Sequence, residues 1–362
     1  MLQTPLHDWH AENGGRMVDF AGWHMPVQYS SIVDEHTAVR TQAGLFDIAH
    51  MGRLKFTGAD ACAFLDRIVT NNVAALDVGQ IRYALVCNES GGILDDVLVY
   101  RFESFYMLVV NASNREKIVA WLDQNKGDAD VTIEDLTTSW FMLAIQGPKA
   151  IEIAQPFVEA SISELKYYTG CETTVQGNYA IVTRTGYTGE DGCEIIVDNA
   201  HAVALWTTLM EAGESAGVKA AGLGSRDTLR LESAMPLYGH EMDENTDPYT
   251  AGLSFGVKLK AADFIGKEAA TAAKAKTDRL VRVGLELEGR RIAREETPIM
   301  LGDDRIGTVT SGTFSPTLQK SIAMGYVPKD NSEVGTAIEV EIRGKRIPAA
   351  VVKLPFYKRP GS

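Results

Sequence analysis

The sequence predicts an α+β protein whose last eighty or so residues form a separate antiparallel β-barrel. Three observations lead there. The chain has 362 residues, too many for one hydrophobic core, so two or three domains are expected. Helical and strand-like stretches alternate without a βαβ rhythm. The final stretch changes character, to short apolar runs separated by Gly, Pro, Asp and Asn.

The elements follow in order. Residues 60–69 read as a short helix, with Phe64, Leu65 and Ile68 on one side. Residues 105–110 read as a strand. Ser113 and Glu116 then have the spacing of a capping box, for a helix running through Leu122. Residues 202–216 read as another helix, 226–232 as the start of one more, and the Lys-Ala-rich piece 267–277 as a helix leading into the barrel. "LVRVGLELEG", "RIGTVTSGT", "SIAMGYV", "AIEVEIRG" and "IPAAVVKL" are the barrel strands, which places the boundary near Asp278.

Composition is ordinary for a soluble globular protein, 45% hydrophobic and 23% charged. No apolar run has the length of a membrane helix. The first thirty residues hold Asp8, Glu12 and Asp19 and no continuous apolar segment, so no signal peptide is expected and the cytoplasm is the default compartment. A formal net charge of -13 argues against general nucleic-acid binding. Cys62, Cys87, Cys171 and Cys193 are far apart and form no C-x-x-C; they read as small buried hydrophobes in a reducing compartment. His7 and His10, at i and i+3 with no third ligand nearby, read as a helix surface rather than a metal site.

Nucleotide and hydrolase motifs can be set aside. "AGLGSRD" (221–227) has Asp227 where a dinucleotide fingerprint needs its third glycine. "GYTGEDGCE" (186–194) lacks the G-K-[ST] ending of a P-loop. There is no G-x-S-x-G.

What remains are carboxylates heading apolar strands. In "NESGGILDDVLVYR" (88–101), the turn at Gly91-Gly92 leads into a strand with Asp95 and Asp96 side by side. Alternation puts Asp95, Val97 and Val99 on one face and Asp96, Leu98 and Tyr100 on the other. Only one of the two carboxylates can therefore point into a given cavity. Either both sit exposed at a strand entrance, or one carries a raised pKa or an aimed charge. "RTGYTGEDGCE" (184–194) repeats the theme: a glycine-rich loop, then Glu194 at the head of "EIIVD". "GSRDTLRLE" (224–232) places Arg226 and Arg230 at i and i+4, which alone reads as a salt-bridged helix start.

Taken together, these blocks resemble the aminomethyltransferases of the glycine cleavage system, the T-protein family. "TPLHDWH", "MVDFAGWHMPVQY", "GLFDIAHMG", "NESGGILDDVLVYR", "RTGYTGEDGCE", "GLGSRDTLRLE", "YGHEMDE", "DFIGKEA" and "TSGTFSPTLQKSIAMGYV" fall in family order from end to end. The resemblance implies a three-lobed fold. Residues 1–277 would make two mixed α/β lobes around folate, the second inserted at about 54–140, and residues 278–362 the barrel that closes the cleft. It implies transfer of the methylene carbon of an aminomethyl group, carried on the lipoyl arm of H-protein, to tetrahydrofolate. Ammonia is released and no metal is needed.

By the same resemblance Glu194 would pair with the guanidine-like edge of the pterin in a two-point fork, and Arg226 would meet the pterin carbonyl. Asp96 would be the catalytic aspartate beside the attacking folate nitrogen. Met51, Tyr83, Tyr100, Asn111, Tyr167 and Tyr187 would line the folate pocket, and Lys358 or Arg359 could meet the glutamate tail. The alternative is a tetrahydrofolate-dependent demethylase with a different one-carbon donor. Folate-binding iron–sulfur assembly proteins share the fold but carry K-G-C-x-x-G-Q-E; here "ADFIGKEA" has no cysteine.

Overall fold

Side-chain alternation along two sheets organises the molecule. The computed structural model describes residues 1–261 and 263–360. One sheet has six strands, in the order Gly170–Val175, Asn178–Thr183, Gly192–Asp198, Trp140–Gln146, Gly44–Asp47, Lys219–Ala220. One of its faces, with Ile195, Val197 and Val182, packs against Leu205, Trp206 and Leu209 of the helix Ala202–Gly213. The other sheet has five strands, in the order Ile81–Cys87, Ile93–Arg101, Tyr106–Val110, Gly52–Thr57, Thr132–Asp135. There Val97, Val99, Leu108 and Val110 pack against the helices Ala61–Ile68 and Arg115–Lys126.

The opposite faces of the two sheets meet in a third core. Ile196, Met142 and Ala144 come from the first sheet, and Tyr100, Met107 and Val109 from the second. The order is therefore helix, sheet, sheet, helix. Glu194 shares the parity of Ile196, and Asp96 that of Tyr100. Both carboxylates thus project from the facing surfaces of the two sheets.

The barrel is closed and antiparallel, in the order Leu280–Leu287, Lys320–Pro328, Asp304–Ser315, Pro298–Leu301, Ala337–Ile342, Lys345–Val352. Leu285, Ile299, Ala323, Val327 and Val340 fill it. It docks on the helix Leu223–Glu232. Arg230 Nη2 donates to Ser311 Oγ at 2.8 Å, and Ser315 Oγ donates to Glu232 Oε1 at 2.5 Å.

Several sequence expectations change in detail. The helix expected from 226 begins at Leu223, and the one expected over 202–216 ends its α-helical part at Gly213 before a short 3-10 turn. The capping box does not form. The helix starts at Arg115 after a turn over Ala112–Asn114, and Asn114 directs its amide to Asp95 instead. The barrel strand Pro298–Leu301 was not foreseen; four residues headed by proline carry little strand signal. Cys87 and Cys193 are buried, but Cys62 and Cys171 are only half-buried. His10 is not on a surface: it is fully buried, with Nε2 2.8 Å from Asp47 Oδ2 and Nδ1 2.8 Å from the Tyr29 hydroxyl. Among the described residues no helix is long and apolar enough to cross a membrane, and no cluster of three or more His, Cys, Asp or Glu is placed to hold a metal ion.

Candidate active site

A cavity of about 460 Å³ opens where the two sheets, the helix Leu223–Glu232 and the first barrel strand meet. That is the size of a small-molecule site. Asp96, Tyr83 and Asn111 come from the five-stranded sheet and its edge, Glu194 from the six-stranded sheet, Arg226 from the helix and Arg282 from the barrel.

Asp96 faces Leu85 across the strand pair, with Leu98 facing Val109 on the other side. Asn111 lies two steps beyond that last pair, opposite Asp96. Its amide Nδ2 donates to Asp96 Oδ1 at 2.7 Å and to Asp95 Oδ1 at 2.8 Å. Asp96 Oδ2 accepts from the Tyr83 hydroxyl at 3.1 Å. Asp95 lies on the other strand face, as alternation requires, but it does not reach water. It is fully buried and accepts from the Asn111 backbone N–H at 3.0 Å and from Asn114 Nδ2 at 2.6 Å. The reading of both aspartates as exposed strand-end groups is thereby overturned. Burial pushes both carboxyls above the ordinary range. Asp95 is pushed further by the charge of Asp96, while the asparagine amides oppose the shift.

The local chain forces this placement. A Cβ on Gly92 would lie 1.7 Å from the Glu244 carbonyl oxygen, so only glycine lets the strand enter here.

At the other wall, Glu194 is buried and accepts a short hydrogen bond from the Thr185 hydroxyl. Burial raises its pKa; Thr185 and the Arg226 guanidinium work against that rise. Arg226 lies over the Tyr187 ring, 4.7 Å from its centroid, and Tyr187 is fixed by donating to the Pro236 carbonyl. The stretch before Glu194 needs glycine: a Cβ on Gly192 would lie 2.3 Å from the Ile145 carbonyl oxygen. A carboxylate and a guanidinium thus stand together at one end, and a carboxylate backed by a second carboxylate at the other.

Asp96, Glu194, Arg226, Tyr83, Met51, Asn111 and Tyr187 all line the cavity. Tyr100 does not. It shares the face of Asp96, but lies two residue pairs deeper, fully buried in the core between the sheets. Tyr167 does not either. It is 55% exposed, and its neighbour Tyr168 forms the wall. The doublet Tyr167-Tyr168 offers one ring to each side, and sequence alone did not say which. Arg359 pairs with Asp191 at 3.3 Å, and Lys358 is exposed. Sequence reasoning missed His50, Thr185 and Phe255 on the wall. His50 and Thr185 sit beside flagged residues in their motifs, but polar groups of such short stretches give no sign of direction. His50 is held neutral by burial, which drives its pKa down to about 3.

The fold and the site define a class: two facing sheets and a closed barrel around a cavity that has an ionisable group at each end. Residues 6–261 match the family model described as GCVT N-terminal domain, and residues 281–358 match the Glycine cleavage T-protein C-terminal barrel domain. An aminomethyltransferase of Rubrobacter xylanophilus is 51% identical over 99% of this chain and 95% of its own length. One of Bacillus cereus is 48% identical, with 99% of each chain covered. The crystal structure of the glycine cleavage system aminomethyltransferase T from Bartonella henselae is 36% identical, superimposes with a TM-score of 0.92, and is matched over 99% of this chain and 98% of that one. The chain belongs to the glycine cleavage T-protein family, and its activity is that of an aminomethyltransferase.

Proposed function

We propose that this cavity binds tetrahydrofolate and receives an aminomethyl group carried on the lipoyl arm of H-protein. The observation that carries the reading is that Glu194 and Arg226 line one end of the cavity together and Asp96 the other. Glu194 offers two acceptor oxygens to the parallel N–H donors of a pterin, and Arg226 a planar donor to the adjacent carbonyl. Tyr187 holds Arg226 in that plane. Asp96 places negative charge where the carbon–sulfur and carbon–nitrogen bonds are exchanged. One folate nitrogen bonds to the methylene carbon as its C–N bond breaks and ammonia leaves; when the C–S bond then breaks, the carbon becomes the iminium of that folate nitrogen, and Asp96 stabilises the cation. The second folate nitrogen then closes on that carbon, the sulfur has left as the dihydrolipoyl thiol, and of the two folate N–H protons one has gone to ammonia and one to the thiol. With its raised pKa Asp96 can hold one of these protons in transit.

The test is a single turnover with H-protein carrying the aminomethyl-lipoyl arm and tetrahydrofolate. Stoichiometric methylenetetrahydrofolate with equal ammonia is expected. Binding of tetrahydrofolate with no product would overturn the donor assignment and favour a demethylase.

A further inference from the structure

The mechanism leaves one buried acid without a role. Asp95 is fully buried on the strand face turned away from the cavity, where its neighbours on that face are Val97 and Val99. Burying a carboxyl is costly unless its oxygens are satisfied. Here three donors reach it. The Asn111 backbone N–H donates to Oδ2 at 3.0 Å, and Asn111 Nδ2 and Asn114 Nδ2 donate to Oδ1 at 2.8 and 2.6 Å. A carboxyl accepts all three with or without its own proton, one oxygen taking the two amides and the other the backbone N–H. The Asn114 N–H also donates to the Asn111 carbonyl at 3.0 Å, so the turn is closed around Asp95.

The result is an Asn111 carboxamide held in one orientation. Its nitrogen faces Asp95 Oδ1 at 2.8 Å, Asp96 Oδ1 at 2.7 Å and the Asp96 carbonyl oxygen at 3.1 Å. Turned over, the group would set its own oxygen against all of these acceptors, so only this orientation is satisfied. A carboxamide is planar, and fixing its nitrogen fixes its oxygen. Asn111 Oδ1 accepts from no donor among the described residues and is open rather than sealed, on a side chain that lines the cavity. Beside it, Asp96 takes one donor on each oxygen, Asn111 and Tyr83, and keeps further lone pairs. A free amide oxygen next to a carboxylate suits a group that offers only donors, such as an amine.

We propose that Asp95 is a positioning residue, which locks Asn111 so that its amide oxygen accepts an N–H of the amine that leaves the donor. It rests on the reading of the reaction as aminomethyl transfer. Asn111 then touches the reacting nitrogen, and the substrate class is a donor whose departing nitrogen carries N–H.

The experiment runs the reaction in reverse, from methylenetetrahydrofolate and H-protein with its dihydrolipoyl arm, so that ammonia has its own KM. Asn111→Ala removes the oxygen, and Asp95→Asn removes the lock. Each should raise the KM for ammonia roughly tenfold, the effect of one lost hydrogen bond to the amine. In Asp95→Asn the affinity for tetrahydrofolate should stay within about twofold. The double variant should be no worse than Asn111→Ala alone, because Asp95 acts through that side chain. A merely structural Asp95 would lower the melting temperature and leave this KM alone. An ammonia KM unchanged in Asn111→Ala would overturn the proposal, as would a further rise when Asp95→Asn is added to it. Should a melt show Asp95→Asn unfolded, Asp95→Ser takes its place and is held to the same outcomes. No reverse reaction with the unaltered protein would remove the aminomethyl reading itself. A normal reaction whose ammonia KM ignores both substitutions removes only the role of Asp95 and Asn111.

Discussion

Acidic side chains are buried in two regions of this molecule, with opposite results. In the seam between the helix Leu223–Glu232 and the barrel, Glu232 and Glu241 are fully buried. Burial alone would raise both pKa values, yet both are lowered. Glu232 falls to about 2 because His36, Arg40 and Ser315 surround it, and Glu241 falls because Arg230 stands 2.8 Å away. In the cavity wall Asp96 and Glu194 are raised, and so is Asp95 on the far side of the same strand. Their hydrogen-bond partners there are neutral amides and hydroxyls, and only Glu194 has a cation, Arg226, acting on it. The seam has its cations in place and serves the fold. The cavity keeps part of its charge uncompensated, ready for a cationic intermediate or a proton-rich ligand edge.

The largest effect that would break this comparison is at Asp96. Asp96→Asn should lower turnover by about 10²–10⁴-fold, the usual range for a positioned acid–base group, with tetrahydrofolate affinity changed little. An unchanged turnover, measured under saturating substrates, would remove Asp96 from the chemistry. In the seam the loss should be of stability instead. Arg230→Met leaves Glu241 buried without its cation and should cost about 3–5 kcal/mol, read as a lower urea midpoint. If the midpoint held, the seam would not be an ion-paired clamp. A smaller effect is expected at Glu194. Glu194→Ala should weaken tetrahydrofolate by about 1–3 kcal/mol while turnover at saturation falls less. Unaltered affinity in calorimetry would place the pterin elsewhere.

Much of this was legible in the sequence because it follows from periodicity. Helices such as Ala61–Ile68 and the barrel strand Leu280–Leu287 announce themselves by spacing, and parity alone separated Asp95 from Asp96. Three things were not legible, each for the same reason: they depend on long-range contacts. Asp95 is satisfied by Asn111 and Asn114 on a neighbouring element, which turned an expected capping box into a carboxylate clamp. Tyr100 has the right parity but the wrong depth, since depth depends on where the second sheet closes. The basic residues 82, 258, 260, 274 and 279 gather around two adjoining clefts, and no local pattern connects them.

The subtlest expectation concerns stability against pH. A carboxyl whose folded pKa is raised makes the folded state hold its proton longer than the unfolded one. Its contribution to stability is therefore lost as pH rises through the folded value. Asp96 and Asp95 are of this kind, so ionising them at neutral pH costs the fold free energy. Glu232 is the reverse: its contribution is present above the unfolded value of 4.5 and is lost as pH falls toward about 2. Asp96→Asn keeps the shape, since the new amide can still accept from Asn111 and donate to the Tyr83 oxygen. It also removes the charge that raises Asp95. The variant should thus be the less active protein and the more stable one, by about 1–2 kcal/mol at pH 8 and by less at pH 5. Thermal melts at the two pH values decide it: a gain larger at pH 5, or a loss at both, would mean that the cavity carboxylates are compensated after all.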